Sequence, residues 1–341
     1  MTTATPKTIR IGVLGAGRIG KLHAELLSRQ VEGADAAGIF DVNAEAAAAV
    51  AASIGVPQAL SAQSLIDDPT IDAIAICTST DTHVEFIHAA AKAGKAIFCE
   101  KPVSMDLALV DAALAAVAAA GVPIHIGFNR RFDPAHRSVR DAVVGGVVGE
   151  LNIVRITSRD PAPPPISYVK VSGGIFLDMT VHDFDMARYV AGSEVVEVTA
   201  HGAVMVDPAI GEAGDLDTVV VVLKHANGVL TTIDNSRRAV YGYDQRVEAF
   251  GSLGMAQSEN PQSYTGRISG ATGVSTPNIP YFFLDRYVPA FVNQWKSFVS
   301  ALVNGTPTEV NGADGRAPLV IGLAALRSVA EGRTVKTSEF N

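Results

Sequence analysis

Gly15-Ala16-Gly17-Arg18-Ile19-Gly20 stands between an apolar run, Ile9 to Leu14, and a segment with helical spacing, Ile19 to Ser28. No other feature constrains the chain so tightly, because each glycine in a strand-to-helix turn of this kind has a separate steric duty. Gly15 permits the tight turn off the strand, Gly17 lets backbone approach a pyrophosphate, and Gly20 lets the helix pack close to the sheet. The helix then presents its N-terminal N–H groups and the positive end of its dipole to phosphate. Ala34 to Phe40 reads as a second buried strand ending in Asp41, twenty-one residues beyond Gly20, the spacing at which a carboxylate reaches the adenosine ribose hydroxyls. That carboxylate repels a 2′-phosphate, and Val42-Asn43-Ala44 brings no Arg or Lys, so NAD is expected over NADP. A glycine-rich loop without a cofactor would account for the glycines alone, not for strand, helix and acid together.

The pattern continues beyond the loop. Short apolar runs near 9–14, 34–40, 72–77, 96–99 and 123–127 alternate with Ala-rich amphipathic segments, the grammar of a doubly wound parallel sheet. Thr82-His83-Val84-Glu85 reads as a capping box with Thr82 as N-cap and Glu85 at N3, and Gly94 closes that helix. The loop Thr78-Ser79-Thr80-Asp81 then falls at the carboxyl end of the third strand, where such sheets bind ligands. After about residue 129 longer β-rich runs take over: Ile153 to Ser158, Val195 to Ala203, Thr218 to His225, Val229 to Asn235 and Arg246 to Gly251. Asn227-Gly228 is a hairpin signal, and Pro161 to Pro165 reads as a stiff loop between strand and helix.

The expected fold is therefore α/β, with a Rossmann domain over 1–128 and an α+β domain over 129–341. The second carries a large, mostly antiparallel, open-faced sheet with helices at His182 to Val190, Tyr287 to Val303 and Pro318 to Glu331 on its other face. A chain of 341 residues is long enough to bury two cores. An uncovered Val-rich sheet face usually needs a partner, so a homo-oligomer, dimer or tetramer, is expected through the second sheet.

Charge and composition narrow the function. The net charge is −8 and no stretch clusters Lys or Arg, which argues against nucleic-acid and anionic-membrane partners. The first eight residues lack the apolar core of a signal peptide, and the run from Leu109 to Val122 is too short to span a bilayer, so a soluble cytoplasmic protein is expected. Cys77 and Cys99 lie inside apolar strand-like runs, which fits buried free thiols better than a disulfide or zinc site.

A nicotinamide enzyme oxidising an alcohol needs a group to take the hydroxyl proton while hydride leaves the same carbon. Zinc would need clustered Cys and His ligands that two separated cysteines do not supply, so no metal is expected. No tyrosine is followed by Lys four positions later, which removes the Tyr-Lys solution of short-chain dehydrogenases. A Lys or His is left. Lys101, in Glu100-Lys101-Pro102 directly after the strand Ala96 to Cys99, can hydrogen-bond a substrate hydroxyl and stabilise a developing alkoxide; alternatively it is a surface lysine at a strand end. In Gly173-Gly174-Ile175-Phe176-Leu177-Asp178-Met179-Thr180-Val181-His182-Asp183-Phe184-Asp185, Asp178 and His182 share one face if the segment is one helix. The carboxylate would then orient the imidazole as a general base, the alternative being a buried histidine that only satisfies a helix turn.

Taken together, Gly-Ala-Gly-Arg-Ile-Gly-Lys-Leu-His at 15–23, Cys-Thr-Ser-Thr-Asp-Thr-His at 77–83, Cys-Glu-Lys-Pro at 99–102, Gly-Phe-Asn-Arg-Arg-Phe-Asp at 127–133 and the 173–185 segment resemble the glucose-fructose oxidoreductase/inositol dehydrogenase (Gfo/Idh/MocA) family. Ser158-Arg159-Asp160-Pro161, Asn235-Ser236-Arg237-Arg238, Tyr241 to Arg246 and Asp285-Arg286-Tyr287 are most similar to its inositol-oxidising members. The resemblance implies NAD-dependent oxidation of a cyclic polyol, myo-inositol to its 2-ketone. Another inositol isomer, a pyranose sugar or NAD-using glycosidase chemistry are the alternatives. It implies that Lys101 holds the reacting hydroxyl, that His182 is the general acid/base and that Asp178 pairs with substrate hydroxyl and imidazole. It further implies that Arg18 and Ile19 join Gly15, Ala16, Gly17 and Gly20 in the pyrophosphate loop, and that Thr78, Ser79, Thr80 and His83 line the cofactor groove. By the same resemblance Glu100 is expected beside the nicotinamide ribose, the Lys101–Pro102 peptide is expected to be cis as is common in the family, and Arg131, Asp160 and Tyr241 are expected as substrate-pocket contacts.

Overall fold

The computed structural model describes residues 7–340, and the chain divides into two compact units. The first comprises residues up to Asn129 together with Phe291–Ala317; the second comprises Arg130–Ala290 and Pro318 onward. The sequence-based division, 1–128 and 129–341, differs from this chiefly at the segment 291–317. That segment carries an aromatic face which packs within the first unit: the Trp295 ring stacks on Phe98 with centroids 4.2 Å apart, and Phe298 packs edge-on to both. Its helix, Phe283–Asn304, was expected on the second sheet, and from Phe291 onward it belongs with the first.

The first unit is built on a five-stranded parallel sheet of β1 (Ile9–Leu14), β2 (Ala34–Phe40), β3 (Ala73–Ile76), β4 (Ala96–Cys99) and β5 (Ile124–Ile126), in the order β2-β1-β3-β4-β5. β3, β4 and β5 are buried throughout, as strands covered on both faces by helices must be. The strand order reverses between β1 and β3, and the crevice at their carboxyl ends is where such a sheet takes a ligand. The helix after β3 runs Thr80–Lys92 with Ser79 as N-cap. The capping box expected at Thr82 does not form. Thr82 Oγ1 lies instead 2.7 Å from Thr78 Oγ1 and 2.8 Å from the Ser79 carbonyl, and the helix starts three residues earlier, drawing Thr80, Asp81 and Thr82 into its first turn.

The second unit holds a mixed sheet of β6 (Leu151–Arg159), β7 (Val195–Ala203), β8 (Thr218–His225), β9 (Leu230–Ser236), β10 (Asp244–Gly251) and β11 (Gly254–Ser258), in the order β11-β10-β6-β9-β8-β7, closed at the β7 edge by Val335–Lys336. Only β6 and β9 pair in parallel, so the sheet is mostly antiparallel as expected. Along β8 the side chains alternate strictly. Val219, Val221 and Leu223 enter the core with Phe184, Val190 and Ala324 from the helices Val181–Ala191 and Gly312–Glu331, whereas Val220 and Val222 face outward. Asn227-Gly228 makes the β8–β9 hairpin, with the His225 N–H donating to the Val229 carbonyl at 2.9 Å. No helix among the described residues is long and apolar enough to cross a membrane.

Candidate active site

In the first unit the candidate residues are placed by strand ends. Gly15 follows β1 with φ +103°, and a Cβ there would lie 2.4 Å from the Cys77 carbonyl oxygen, so the turn admits only glycine. Gly20 is as constrained: a Cβ would meet the Gly15 carbonyl oxygen at 2.1 Å. Around Gly17, by contrast, nothing lies within 4 Å of the point a Cβ would occupy. It is also the N-cap of the helix Arg18–Arg29, with no side-chain cap and no acidic residue in the first turn. The loop thus offers uncapped backbone donors in open space, and a diphosphate fits there with Arg18 and Ile19 in the same first turn. Asp41, just past β2, accepts from the Ala16 N–H at 2.6 Å and the Asn43 N–H at 2.8 Å, which fixes its carboxylate against the glycine loop.

Two further loops end at the same edge. Thr78 and Ser79 leave β3 and lead into Thr80; His83 is buried in the helix that follows, its Nδ1 2.8 Å from the Pro102 carbonyl and its Nε2 3.1 Å from the Thr78 carbonyl. Burial lowers the His83 pKa, and the two carbonyls oppose that shift. His83 therefore ties the loop after β3 to the one after β4. In the latter, Glu100 is buried and Lys101 partly so, the Lys101–Pro102 peptide is cis, and the Lys101 N–H donates to Glu100 Oε2 at 3.2 Å. The edge of this sheet thus gathers Gly15 to Gly20, Asp41, Thr78 to Thr80, His83, Glu100 and Lys101.

The second unit builds its candidate site from side chains. Gly173 and Gly174 both adopt positive φ, at 84° and 78°, and a Cβ on Gly174 would sit 2.7 Å from Asp215 Oδ1. The close approach lets Asp215 cap a five-residue helix, Gly174–Asp178, by accepting from the Ile175 N–H at 3.0 Å. This helix stops at Asp178 and a second, Val181–Ala191, begins before His182, so Asp178 and His182 do not share one helix as the spacing suggested. Thr180 marks the break: its hydroxyl lies 2.6 Å from Asn235 Oδ1 on β9, a partner remote in sequence. Immediately after His182, Asp183 is locked in the core. Its carboxylate accepts from Arg130 at 2.7 Å, Ser158 at 2.6 Å and Asn235 at 2.8 Å. Burial raises its pKa and Arg130 opposes the rise.

Asp178 accepts from the Tyr168 hydroxyl at 2.8 Å and from the Arg237 guanidinium at 3.3 and 3.4 Å. Arg237 is almost wholly buried and also reaches Asp215 at 3.6 Å, so one guanidinium clasps both ends of the short helix. Asp160 belongs to the same cluster. Burial pushes its carboxyl up to about 6, Arg237 and Arg130 pull it down, and the charges of Asp178 and Asp183 push it up again. Arg131 and Tyr241 have further partners of their own in this unit. Arg131 forms a bidentate pair with Asp185, 2.8 Å through Nε, and lies over the Tyr189 ring; Tyr241 donates to Asp244 at 2.7 Å and accepts from Arg159 at 3.3 Å.

Sequence reasoning missed Arg237, Asp215 and Tyr168 as members of the cluster. For Arg237 a signal was present, a cation directly after a strand, the same placement that singled out Lys101. Nothing local marks Asp215 or Tyr168, since their partners are 40 and 10 residues away.

A family model described as an oxidoreductase family with an NAD-binding Rossmann fold matches residues 9–128, and the GFO/IDH/MocA C-terminal domain model matches 136–257. A myo-inositol 2-dehydrogenase of Thermotoga maritima is 48% identical over 97% of this chain and 99% of its own length. An inositol 2-dehydrogenase of Rhizobium meliloti is 47% identical over 96% and 99%. Among solved structures, a scyllo-inositol dehydrogenase from Lactobacillus casei with bound NAD(H) and scyllo-inositol superposes with a TM-score of 0.90 at 27% identity, over 97% of this chain and 100% of that one. With an uncapped glycine turn, an acid after β2 and identity sustained along the whole chain, the protein belongs to the GFO/IDH/MocA family of oxidoreductases and uses NAD.

Proposed function

We propose that the protein oxidises one secondary hydroxyl of myo-inositol, giving the 2-ketone. The observation that carries the reading is the carboxylate cluster of the second unit, Asp160, Asp178 and Asp215 around buried Arg237. A neutral ring of near-identical hydroxyls is oriented by acceptors of this kind, because a site built to hydrogen-bond hydroxyls rejects a ligand that leaves its polar groups unpaired. The two relatives at 48% and 47% identity, both named for inositol 2-dehydrogenation, support the same substrate class.

In this reading NAD supplies the hydride acceptor. Lys101 donates to the oxygen of the reacting carbinol and stabilises negative charge as it develops. His182 takes the hydroxyl proton, hydride leaves the same carbon, and the C–O bond becomes a carbonyl. Asp178, held by Tyr168 and Arg237, orients substrate and imidazole. Asp160 and Tyr241 contact hydroxyls, and Arg131 acts through its pair with Asp185, which lies three residues beyond His182. Formation of reduced cofactor with myo-, scyllo- and chiro-inositol, glucose and xylose tests the assignment, and myo-inositol is expected to give the highest kcat/KM. His182→Ala should cost about a hundredfold or more in turnover. Turnover unchanged in that variant refutes the role of His182, and preference for a pyranose refutes the substrate.

The outward face of the second sheet carries Val220, Val222, Phe250 and Met255, each exposed to about half its area. We assign that face to a second copy of the chain. Sedimentation that finds only monomer at micromolar concentration removes the assignment. A cytoplasmic location belongs to the same proposal and rests on the two buried free thiols, Cys77 and Cys99.

A further inference from the structure

His23 has no exposed surface and sits in a nest of rings formed by Phe98, Phe291 and Trp295. Its Nδ1 is 2.8 Å from Trp295 Nε1, and its Nε2 is 2.8 Å from Glu100 Oε1. An indole N–H can only donate. Nδ1 is therefore the acceptor, Nε2 carries the proton, and Nε2–H donates to the Glu100 carboxylate. The chain of donors runs one way, from indole to imidazole to carboxylate.

A merely space-filling core would not carry a carboxylate here, because a buried acid group is costly unless its oxygens are hydrogen-bonded. Room has been cleared for it: a Cβ on Gly127 would lie 2.9 Å from the Glu100 carboxyl carbon. The second oxygen of Glu100 accepts the Lys101 N–H, while the Glu100 N–H donates to the Ile76 carbonyl at the end of β3. His23 itself belongs to the helix that leaves the glycine loop. The one carboxylate thus links that helix, the end of β4 and the backbone of Lys101.

We propose that His23 is a positioning residue, which through Glu100 fixes the backbone of Lys101 and so the direction in which its ammonium is presented. The inference rests on the assignment of Lys101 above, and Trp295 sets the tautomer that makes it work. Three variants separate this role from simple packing. His23→Leu keeps an apolar side chain of similar bulk but cannot bond either neighbour. His23→Gln keeps an acceptor for the indole and a donor for the carboxylate on one amide. Trp295→Phe keeps the ring stack on Phe98 and removes only the donor.

Two readouts are needed, kcat of the holoenzyme and the rate at which Lys101 in the apoprotein is acylated by acetic anhydride, followed peptide by peptide against the other lysines. His23→Leu is expected to lower kcat by about tenfold or more, on the scale that small misplacement of a catalytic group produces, and to change the relative acylation rate of Lys101 by about threefold or more. His23→Gln should restore both to within about threefold of the native values. If His23→Leu leaves both readouts unchanged, or His23→Gln loses as much as His23→Leu, the positioning role is overturned. Should His23→Leu fail to fold, Trp295→Phe decides alone: an altered Lys101 acylation rate supports the relay, and an unaltered one overturns it. Because acylation needs no polyol, a wrong substrate assignment leaves this test intact. The protein's single tryptophan is Trp295, so its emission in His23→Leu and His23→Gln reports directly whether the indole has kept an acceptor.

Discussion

The candidate residues of the two units are made of different material. In the first unit, the set proposed for NAD is largely backbone: a glycine turn, a helix without a side-chain cap and strand ends. In the second unit, the set proposed for the polyol is side chain, a cluster from four places in the sequence, Asp160, Asp178 and Asp215 around the buried Arg237 guanidinium. At Gly15 and Gly20 the first tolerates no added atom, and the second depends on the charge of Arg237. This difference can be broken open by substitution. Gly20→Ala should have the largest effect, since the added Cβ would lie 2.1 Å from a backbone oxygen that cannot move aside. We expect a loss of ~3 kcal/mol or more of stability, by analogy with overpacked cores, together with loss of NAD binding. Gly17→Ala is the control within the same loop. Its Cβ would meet no atom of the chain within 4 Å, so Tm should hold while NAD affinity falls. Thermal unfolding with and without NAD separates the two. An NAD-induced rise in Tm that is undiminished in Gly17→Ala would show that the open space at Gly17 is not what the cofactor occupies.

Arg237→Gln sharpens the comparison from the other side. The substitution keeps much of the length but leaves Asp178 and Asp215 without the cation that faces both. It should lower kcat/KM for the polyol by roughly tenfold or more, the equivalent of about 1.4 kcal/mol, while the Kd for NAD stays within about twofold. Calorimetric titration with NAD and initial rates over polyol concentration check the pair. If NAD affinity falls as far as kcat/KM, the separation into a backbone half and a side-chain half is wrong.

The same contrast explains how much of the molecule was legible in the sequence. The five strands of the first sheet fall within a residue of the apolar runs that announced them, because a buried parallel strand is defined by its own composition. The glycine loop was legible because its motif is contiguous, with Gly15 and Gly20 answering backbone clashes and Gly17 leaving open space. Where another partner takes the side chain, the reading failed. The Thr82 capping box has the right residues, yet the Thr82 hydroxyl is taken by Thr78 and Ser79, and the helix starts at Thr80. The run from Asp178 to His182 has helical spacing, but Thr180 turns to Asn235 and the helix breaks. The helix expected over Tyr287 to Val303 was placed on the second sheet, yet the partners of its Trp295 are His23 and Phe98. Arg237 carried a readable position, directly after β9, with no hint that two carboxylates from elsewhere in the chain would meet it.

The smallest expected effect is the most diagnostic of the side-chain half, and it concerns Asp160. Burial raises its carboxyl to about 6 in the folded protein, with Arg237 and Arg130 opposing and Asp178 and Asp183 reinforcing the rise. Between its ordinary value of 3.8 and about 6 the folded chain keeps a proton that the unfolded chain has released. The contribution of this group to stability therefore falls as pH rises through that window and is lowest above it. Activity should run the opposite way. The ionised carboxylate is the better acceptor for polyol hydroxyls, so kcat/KM should climb through a limb near pH 6. Asp160→Asn is uncharged throughout: it should erase that limb, gain stability above it, and cost only about two- to fivefold in kcat/KM where the native group is ionised. Chemical denaturation and rate profiles on either side of the limb read both signs. A limb that survives in Asp160→Asn belongs to another group, and His182 is then the first to test, by repeating the profile in deuterated solvent to see whether proton transfer limits the rate along that limb.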